Sequence, residues 1–353
     1  MEGKVRIGII GVGTIGNVHL DALKNTPAAR VAALCDIKAD RLREVAGKHN
    51  VQATFADYRK MLKEADLDAI YVCVPNYLHS RLAIAGFEAG KHVFCEKPMA
   101  MSAAQGRAML AAAKGAGKVF AMGMTWRHMG ESRAVKKFID AGQVGRIYHI
   151  RVNLIRRRGI PGLGGWFTTK AMAGGGGLID CGVHFLDLAM WLTDSWKPER
   201  VSAATYSEFG TRMENYVYTG MWAGPPDFNG VFDVDDYAVG FVRFPNNVTM
   251  DFQVSWALNA EGGNSIEIMG DKGGVRCAGG KPPVFFSESN GHIVDVTPQY
   301  GDRNPFESEA ANFMGAILGK EKPFATGEQA VIVMRLLDAI YKSAKLGREI
   351  PVA

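Results

Sequence analysis

The chain has 353 residues, 47% of them hydrophobic and 22% charged, which is the composition of a globular protein rather than a fibrous or disordered one. One hydrophobic core rarely serves so many residues, so the sequence predicts two domains, residues 1–125 and 126–353. The formal net charge is +5, but the basic residues are scattered instead of concentrated in one stripe, so we expect no nucleic-acid partner.

The first elements are a strand, a glycine-rich turn, a helix and a second strand. Residues 4–10 (KVRIGII) form a short apolar run, residues 11–16 (GVGTIG) follow it, and the strand RVAALCD ends at Asp36. A G-x-G-x-x-G turn between a strand and a helix, with an acid about 20 residues further on, is the fingerprint of dinucleotide binding. A glycine turn in an α/β protein without a ligand is the alternative.

Each residue of the turn has a separate task. Gly11 permits the tight turn, Gly13 lets the backbone approach a pyrophosphate, and Gly16 lets the helix pack closely on the strand. Thr14 and Ile15 open the helix, whose N-terminal N–H groups and partial positive charge are expected to bind the phosphates.

The acid at the end of the second strand bears on the choice of dinucleotide. Asp36 is expected to accept hydrogen bonds from the adenosine ribose hydroxyls and to repel a 2′-phosphate, which favours NAD over NADP. Lys38 and Arg41 lie just beyond Asp36, so weak use of NADP is left open.

Strands and helices continue to alternate up to about residue 124, with LDAIYVCVP, KHVFCEKP and KVFAMGM as strands. This alternation predicts parallel βαβ units in a doubly wound sheet. Pro75 and Asn76 follow one of these strands, and Glu96, Lys97 and Pro98 follow the next. Ligands of such sheets bind beyond the carboxyl ends of the strands, so these residues are predicted at the cofactor.

Beyond residue 125 the pattern changes to strands joined by short turns. This pattern predicts an α+β domain with a large, open, mainly antiparallel sheet. We expect strands at 146–157 and 198–209, a hairpin over 235–258 with its turn at Asn246–Asn247, further hairpin turns at GDKGG and SNG, and helices near 305–319 and 327–346.

The segment 207–230 is rich in aromatic residues and fits neither period. An irregular segment of this length is typical of a lid, a binding loop or an oligomer contact, and a surface excursion is the alternative. An open antiparallel sheet also favours assembly into a homo-oligomer.

Four consecutive glycines, Gly174–Gly177, lead directly into an apolar helix that carries Asp180 and His184. Residues four apart share one face of an α-helix, and Asp187 follows on the same stripe. An imidazole titrates near neutral pH, so His184 is a candidate general base and Asp180 a candidate partner that orients it. A metal site made of Asp180, His184 and Asp187 is the alternative, although it lacks the second histidine that catalytic zinc usually needs. We therefore expect no metal.

The chain shows no signs of a secreted or membrane protein. The five cysteines lie far apart without a C-x-x-C pair, so neither a disulfide framework nor a zinc site is predicted. The N-terminal residues lack a signal-peptide pattern, and no apolar stretch reaches the ~20 residues of a membrane span. We expect a cytoplasmic protein with no membrane partner.

The quoted motifs also carry a resemblance. The stretches GIIGVGTIG, VCVPNYLH, AGKHVFCEKPM, GGGGLIDCGVHFLDL and GREIPV resemble the Gfo/Idh/MocA family (glucose–fructose oxidoreductase, inositol dehydrogenase and MocA type) along nearly the whole chain. The resemblance implies a Rossmann domain followed by an open-sheet domain, with the C-terminal helix able to pack back on the first domain. It also implies a homodimer or homotetramer built through the sheets.

The resemblance also implies roles for individual residues. Lys97, Asp180 and His184 fall on the family's catalytic positions. The positions that line the nicotinamide in the family are here Pro75, Asn76, His79 and Glu96. Arg127 and Trp166 match more weakly, at positions that approach cofactor or substrate. Residues 159–184 look most like sugar and cyclitol dehydrogenases, levoglucosan dehydrogenase among them.

The expected function is therefore that of an NAD-dependent oxidoreductase acting on a secondary hydroxyl of a sugar, anhydrosugar or inositol. His184 would move the proton, Asp180 would assist it and bind a substrate hydroxyl, and Lys97 would stabilise the developing alkoxide. Two alternatives belong to other classes: a redox-assisted glycosidase that uses NAD transiently, and a non-catalytic nucleotide-sensing protein.

Overall fold

The computed structural model describes residues 4–218, 220–301 and 303–353. Its residue contacts divide the chain into two compact units. One unit combines Met1–Met129 with Arg303–Val331, and the other combines Gly130–Asp302 with Ile332–Ala353. The predicted division into residues 1–125 and 126–353 stays a prediction.

The first unit is built on a parallel sheet, as the alternation of strands and helices predicts. Its strands are β1 (Val5–Ile10), β2 (Ala29–Cys35), β3 (Ala53–Phe55), β4 (Ala69–Val72), β5 (His92–Glu96) and β6 (Phe120–Gly123), and its first helices are α1 (Thr14–Lys24), α2 (Ala39–His49), α3 (Tyr58–Glu64), α4 (His79–Glu88) and α5 (Ala103–Ala116). The strand order is β3-β2-β1-β4-β5-β6. The order reverses between β1 and β4, which is the switch point where doubly wound sheets bind dinucleotides.

The second unit contains the predicted open sheet. Its strands are β7 (Ile147–Ile155), β8 (Arg200–Tyr206), β9 (Tyr237–Arg243), β10 (Thr249–Ser255), β11 (Gly263–Gly270), β12 (Gly274–Ala278), β13 (Val284–Ser289), β14 (His292–Val296) and β15 (Ile350–Pro351). The strand order is β14-β13-β12-β11-β7-β10-β9-β8-β15, and among these neighbours only β7 and β10 run parallel. The prediction of a mainly antiparallel sheet is confirmed.

The remaining helices are α6 (Gly130–Asp140), α7 (Lys170–Ala173), α8 (Val183–Thr193), α9 (Pro305–Ile317) and α10 (Gly327–Leu346). Although α9 comes late in the sequence, it belongs to the first unit. Ala310, Phe313 and Met314 of α9 join the core formed by the strands of the parallel sheet. None of the helices in the described part of the chain combines the length and the apolar character that crossing a bilayer requires.

Local turn chemistry explains the predicted hairpins. Asn246 and Asn247 both adopt positive φ, +58° and +60°, between β9 and β10. Asn290 and Gly291 do the same, at +52° and +77°, between β13 and β14. Asparagine and glycine tolerate this left-handed conformation, and such pairs match the twist of an antiparallel ribbon.

The helical segment that carries Asp180 and His184 differs from the expected regular α-helix at its start. Leu178–Gly182 forms a π-helical turn, and the regular helix α8 begins only at Val183. The wider π turn replaces the α-helical spacing that we expected between Asp180 and His184. At Gly182 the turn comes very close to the sheet, because a Cβ there would lie 3.2 Å from Cγ2 of Val254.

Candidate functional site

The glycine turn of the first unit has the shape that a bound pyrophosphate requires. Gly11 has a φ of +92°, and a Cβ on it would lie 2.2 Å from the carbonyl oxygen of Cys73. A Cβ on Gly16 would lie 2.1 Å from the carbonyl oxygen of Gly11, so helix and strand pack too closely for any side chain. Beside Gly13, by contrast, the nearest atom to such a Cβ would be Nη1 of Arg41 at 3.9 Å.

Helix α1 begins directly after this open position. Its N-cap is Gly13, which has no side chain to cap the first N–H groups of Thr14 and Ile15. Uncapped N–H groups at a helix N-terminus attract anions. The residues present therefore fit the diphosphate of a dinucleotide, and its binding here stays a prediction.

Asp36 has a more crowded environment than the sequence indicated. Its carboxylate is buried at the end of β2, where Oδ2 accepts a hydrogen bond from the N–H of Val12 at 3.0 Å and Oδ1 accepts one from the N–H of Lys38 at 2.8 Å. Nη2 of Arg41 lies 2.8 Å from Oδ1 and 2.7 Å from Oδ2. Asp36 thus fixes the glycine turn and holds a cation at the place where the adenosine ribose binds in this fold.

The loops after β4 and β5 are tied together by a histidine. Pro75 precedes a short 3₁₀ turn that begins at Asn76, and both lie at the carboxyl end of β4 as predicted. The ring of His79 is fully buried, with Nδ1 2.7 Å from the carbonyl oxygen of Pro98 and Nε2 2.8 Å from that of Val74. Burial lowers the pKa of His79 although the two carbonyl groups oppose this effect. A direct contact of Pro75, Asn76 or His79 with nicotinamide stays a prediction.

Glu96 ends β5 and is buried next to Lys97. Its Oε1 lies 2.6 Å from Nε2 of His19, and its Oε2 accepts a hydrogen bond from the backbone N–H of Lys97 at 3.1 Å. The peptide bond between Lys97 and Pro98 is cis. The carboxylate of Glu96 therefore holds the backbone of the predicted catalytic lysine, a task that its position in the sequence does not reveal.

A second buried acid, Glu309 of α9, belongs to the same region of the first unit. Its Oε2 accepts a hydrogen bond from the hydroxyl of Thr125 at 3.0 Å, and its Oε1 is buried without a hydrogen-bond partner among the described residues. Burial, and secondly the charge of Glu96, raise the pKa of Glu309 well above its usual value. The protonated form of Glu309 is therefore favoured more than in an exposed glutamate. Sequence reasoning missed it and His19, although an acid within the apolar run of α9 was a usable signal.

Arg127, predicted near the cofactor or substrate, is a fully buried residue of the first unit. Its Nη1 donates hydrogen bonds to the carbonyl oxygen of Phe324 at 2.5 Å and to Oε1 of Gln329 at 2.6 Å. These bonds hold the segment that precedes and opens α10. A contact of Arg127 with cofactor or substrate stays a prediction.

In the second unit, one buried carboxylate caps the N-terminus of the helical segment that carries Asp180 and His184. Oδ1 of Asp235 accepts hydrogen bonds from the N–H of Gly176 at 2.8 Å and from the hydroxyl of Tyr341 at 2.7 Å. Oδ2 accepts one from the N–H of Leu178 at 2.9 Å, and the carbonyl oxygen of Asp235 accepts one from Gly177 at 2.9 Å. A carboxylate that caps the first N–H groups of a helix is also favoured by the helix dipole. We call this arrangement the Asp235 clamp.

The clamp accounts for two glycines of the run Gly174–Gly177. A Cβ on Gly175 would lie 2.1 Å from the Tyr341 hydroxyl oxygen, and one on Gly176 would lie 1.8 Å from the carbonyl oxygen of Asp235. Protein atoms, rather than space for a ligand, thus require glycine at these two positions.

Asp180 and His184, the predicted catalytic pair, follow directly after the segment that Asp235 binds. Asp180 is buried, and its Oδ2 accepts hydrogen bonds from the indole Nε1–H of Trp256 and from the thiol of Cys181, both at 3.1 Å. His184 lies in the first turn of α8 and is partly exposed, whereas Asp187 is fully buried. Within the residues that the structure describes, no three His, Cys, Asp or Glu side chains are grouped as ligands of a metal ion.

The segment 207–230 is held near its start by Asp236 and packs further along against Phe167, next to Trp166. The carboxylate of Asp236 accepts hydrogen bonds from the N–H groups of residues 208–210, at 3.2, 2.6 and 3.0 Å. Further along, the rings of Trp166 and Phe167 lie 3.7 Å apart, and the ring of Phe167 lies 5.0 Å from that of Trp222. Apart from a 3₁₀ turn at Gly210–Asn215, the described part of the segment lacks regular structure, as predicted.

Comparison with known proteins adds to this geometry. A family model described as an oxidoreductase family with an NAD-binding Rossmann fold (Gfo/Idh/MocA) matches residues 5–124. The model of the C-terminal domain of the same family matches residues 132–276.

Individual relatives match over most of their length. D-glucoside 3-dehydrogenase of Escherichia coli (strain K12) is 29% identical over 350 residues, which cover 98% of this chain and 97% of the relative. Myo-inositol 2-dehydrogenase of Thermotoga maritima is 26% identical over 359 residues, 98% of either chain. The solved structure of levoglucosan dehydrogenase in complex with NADH and levoglucosan has a TM-score of 0.86 over 99% of both chains at 22% identity, which shows a shared fold.

We predict that Asp235→Asn weakens the helix entrance. An amide oxygen can replace only part of the carboxylate, and its NH2 group would face an N–H donor, so the variant should lose about 1–3 kcal/mol in the free energy of unfolding. Denaturant unfolding measures this loss. Asp233→Asn is the matched control, because Asp233 is exposed and accepts a hydrogen bond from the N–H of Lys170. Equal losses in the two variants would contradict the clamp.

We predict that Glu309→Gln becomes relatively more stable as the pH rises. The pKa of Glu309 is raised in the folded state, so the unfolded chain releases this proton first and wild-type stability falls as the pH rises above the usual value of 4.5. Glutamine keeps the neutral form at every pH. Thermal unfolding between acid and alkaline pH should show a gap that widens in favour of the variant, with Glu307→Gln of the same helix as the control. A gap that widens in favour of the wild type would mean that Glu309 is ionised.

Proposed function

We infer the function from one premise: the chain belongs to the Gfo/Idh/MocA family of oxidoreductases, whose N-terminal and C-terminal models both match it. We propose that it is an NAD-dependent dehydrogenase that oxidises a secondary hydroxyl of a sugar, anhydrosugar or inositol. The observation that carries the proposal is the partly exposed imidazole of His184, which follows the buried carboxylate of Asp180 on a helix whose entrance is fixed.

Different residues of the chain have separate roles in the proposed reaction. A bound nicotinamide dinucleotide supplies the acceptor for the hydride. The turn from Gly11 to Gly16 binds its pyrophosphate through backbone N–H groups. An imidazole nitrogen of His184 takes the proton of the reacting hydroxyl while Asp180 orients the imidazole or accepts a neighbouring hydroxyl. The ammonium group of Lys97 stabilises the negative charge that develops on the substrate oxygen.

The relatives support the substrate class. By name, two of them oxidise a D-glucoside and myo-inositol, which are both rings with several hydroxyl groups. We propose the same class for this chain, with Trp166 among the residues that bind the ring. The homodimer or homotetramer and the cytoplasmic location expected from the sequence remain predictions.

The test is nicotinamide absorbance with purified protein, NAD and a panel of D-glucosides, anhydrosugars and inositols. NADH formation with one class supports the proposal and names the substrate. Release of the aglycone from a glycoside without net NADH would identify the redox-assisted glycosidase instead. Tight NAD binding without any turnover would favour a nucleotide sensor.

The preference between NAD and NADP depends on two residues. The carboxylate of Asp36 suits a ribose diol and repels a 2′-phosphate, but Arg41 is already hydrogen-bonded to it and can bind a phosphate. We propose that Asp36 prevails because it is a buried acceptor, whereas the side chain of Arg41 is partly exposed.

We predict that Asp36→Ser raises the ratio of NADP to NAD affinity at least about 10-fold, since a repulsive charge disappears while Arg41 remains. Binding of both reduced cofactors, followed by fluorescence, measures the ratio. Asp40→Ser removes an exposed acid from the neighbouring helix and serves as the control. An unchanged ratio would show that Asp36 does not select the cofactor.

We predict that Lys97→Ala lowers the rate of hydride transfer about 100- to 1,000-fold and leaves NAD affinity nearly unchanged, because the ammonium acts on charge that develops in the transition state. Single-turnover kinetics give the rate, and titration gives the affinity. Lys60→Ala, which removes an exposed lysine, is the control. Equal losses of rate and NAD affinity would count against the proposed role.

A further inference from the structure

We propose that Trp256 is a positioning residue of the reaction, which holds the carboxylate of Asp180 in one orientation through its indole N–H. The inference rests on the proposed function, because Asp180 matters for catalysis only if the chain is a dehydrogenase. No motif in the sequence pointed to Trp256.

The contact joins two elements of the second unit. Trp256 directly follows β10 and is fully buried, and its Nε1 lies 3.1 Å from Oδ2 of Asp180. The thiol of Cys181 donates to the same oxygen, also at 3.1 Å. Two donors on one oxygen restrict rotation of the carboxylate about its Cβ–Cγ bond. The direction of the second oxygen, Oδ1, is thereby set as well.

Trp256 is itself held on both sides of its backbone. Its N–H donates to the carbonyl oxygen of Asp236 at 2.8 Å, and its carbonyl oxygen accepts a hydrogen bond from Gly159 at 2.7 Å. A Cβ on Gly177 would lie 3.3 Å from Cγ of Trp256, so the indole packs directly against the glycine run. A ring that is fixed in this way can impose its own geometry on the carboxylate.

Two consecutive residues, Asp235 and Asp236, therefore both help to position Asp180. Asp235 caps the helix on which Asp180 lies, and the next residue, Asp236, fixes the backbone of Trp256, the residue that donates to Asp180. Because Asp235 and Asp236 are adjacent, the position of the Asp180 carboxylate and the direction of the Trp256 indole N–H are coupled.

The chemistry of indole suits this task. Its N–H is a donor only and does not exchange roles, so it can orient a carboxylate without taking part in proton transfer. A lysine or arginine at this position would instead pair with the carboxylate and compete with the substrate for it. The thiol of Cys181 is a weak donor and cannot replace the indole.

The test is Trp256→Phe, which keeps an aromatic ring and removes the donor. Loss of one hydrogen bond to a charged group predicts a kcat lower by about 10- to 100-fold, with NAD affinity within about 2-fold of wild type. Trp196→Phe, which lies beyond the end of α8, is the matched control and should keep wild-type kinetics. A kcat of Trp256→Phe equal to that of wild type would overturn the proposal.

A second measurement does not depend on activity or on the folding of Trp256→Phe. The chain has six tryptophans, so the ¹⁵N-labelled wild type should give six indole N–H resonances in an NMR spectrum. Single Trp→Phe variants at the other five positions assign their resonances, and the resonance of Trp256 follows by elimination. In Asp180→Ala, the resonance of Trp256 should move upfield more than the other five, because its acceptor is gone. An unmoved Trp256 resonance would overturn the contact.

The proposed function and the role of Trp256 can be overturned separately. Absence of turnover by the wild type on every substrate of the panel overturns the proposed function and the catalytic role of Trp256 with it. An active wild type with an equally active, folded Trp256→Phe variant overturns only the role of Trp256.

Discussion

The second unit depends on the buried carboxylate of a residue distant in the sequence, which caps the N-terminus of a helical segment. Asp235 binds the N–H groups of Gly176 and Leu178 and the hydroxyl of Tyr341, and its backbone carbonyl binds Gly177. Leaving such N–H groups buried and unsatisfied is costly, so the helix can begin at this depth only because an acceptor is present. The chain must then be nearly free of side chains, which accounts for the glycines. Asp180 and His184 follow on the helix that this contact fixes.

The first unit uses the same physical device. Buried carboxylates at strand ends accept backbone N–H groups and so fix neighbouring turns. Asp36 holds Val12 of the glycine turn, and Glu96 holds the backbone of Lys97. Such contacts keep polar groups satisfied in an apolar interior while they define the turn geometry. The first unit thus holds the turns that we propose for ligand binding through buried carboxylates.

Local signals explain what could be predicted from the sequence. The glycine fingerprint, the alternation of apolar residues and the asparagine turns are read within a few neighbouring residues, and they led to both sheets and to the positions of α9 and α10. The very short strands β3 and β15 carry too few residues for a period to be seen. The contacts that organise the site join residues 59 apart (Gly176 and Asp235), 76 apart (Asp180 and Trp256) and 77 apart (His19 and Glu96), and no local pattern reports them. The π turn was missed because it depends on these distant contacts.

The central claim is that the helix fixed by Asp235 presents a general base for the oxidation of a sugar or cyclitol hydroxyl. The most direct measurement is single-turnover NADH formation by the wild type and by His184→Asn, with a D-glucoside as substrate and NAD at saturation. We predict a burst of NADH in the wild type and a rate about 100- to 10,000-fold lower in the variant, with unchanged NAD binding. Equal rates in the two proteins would contradict it.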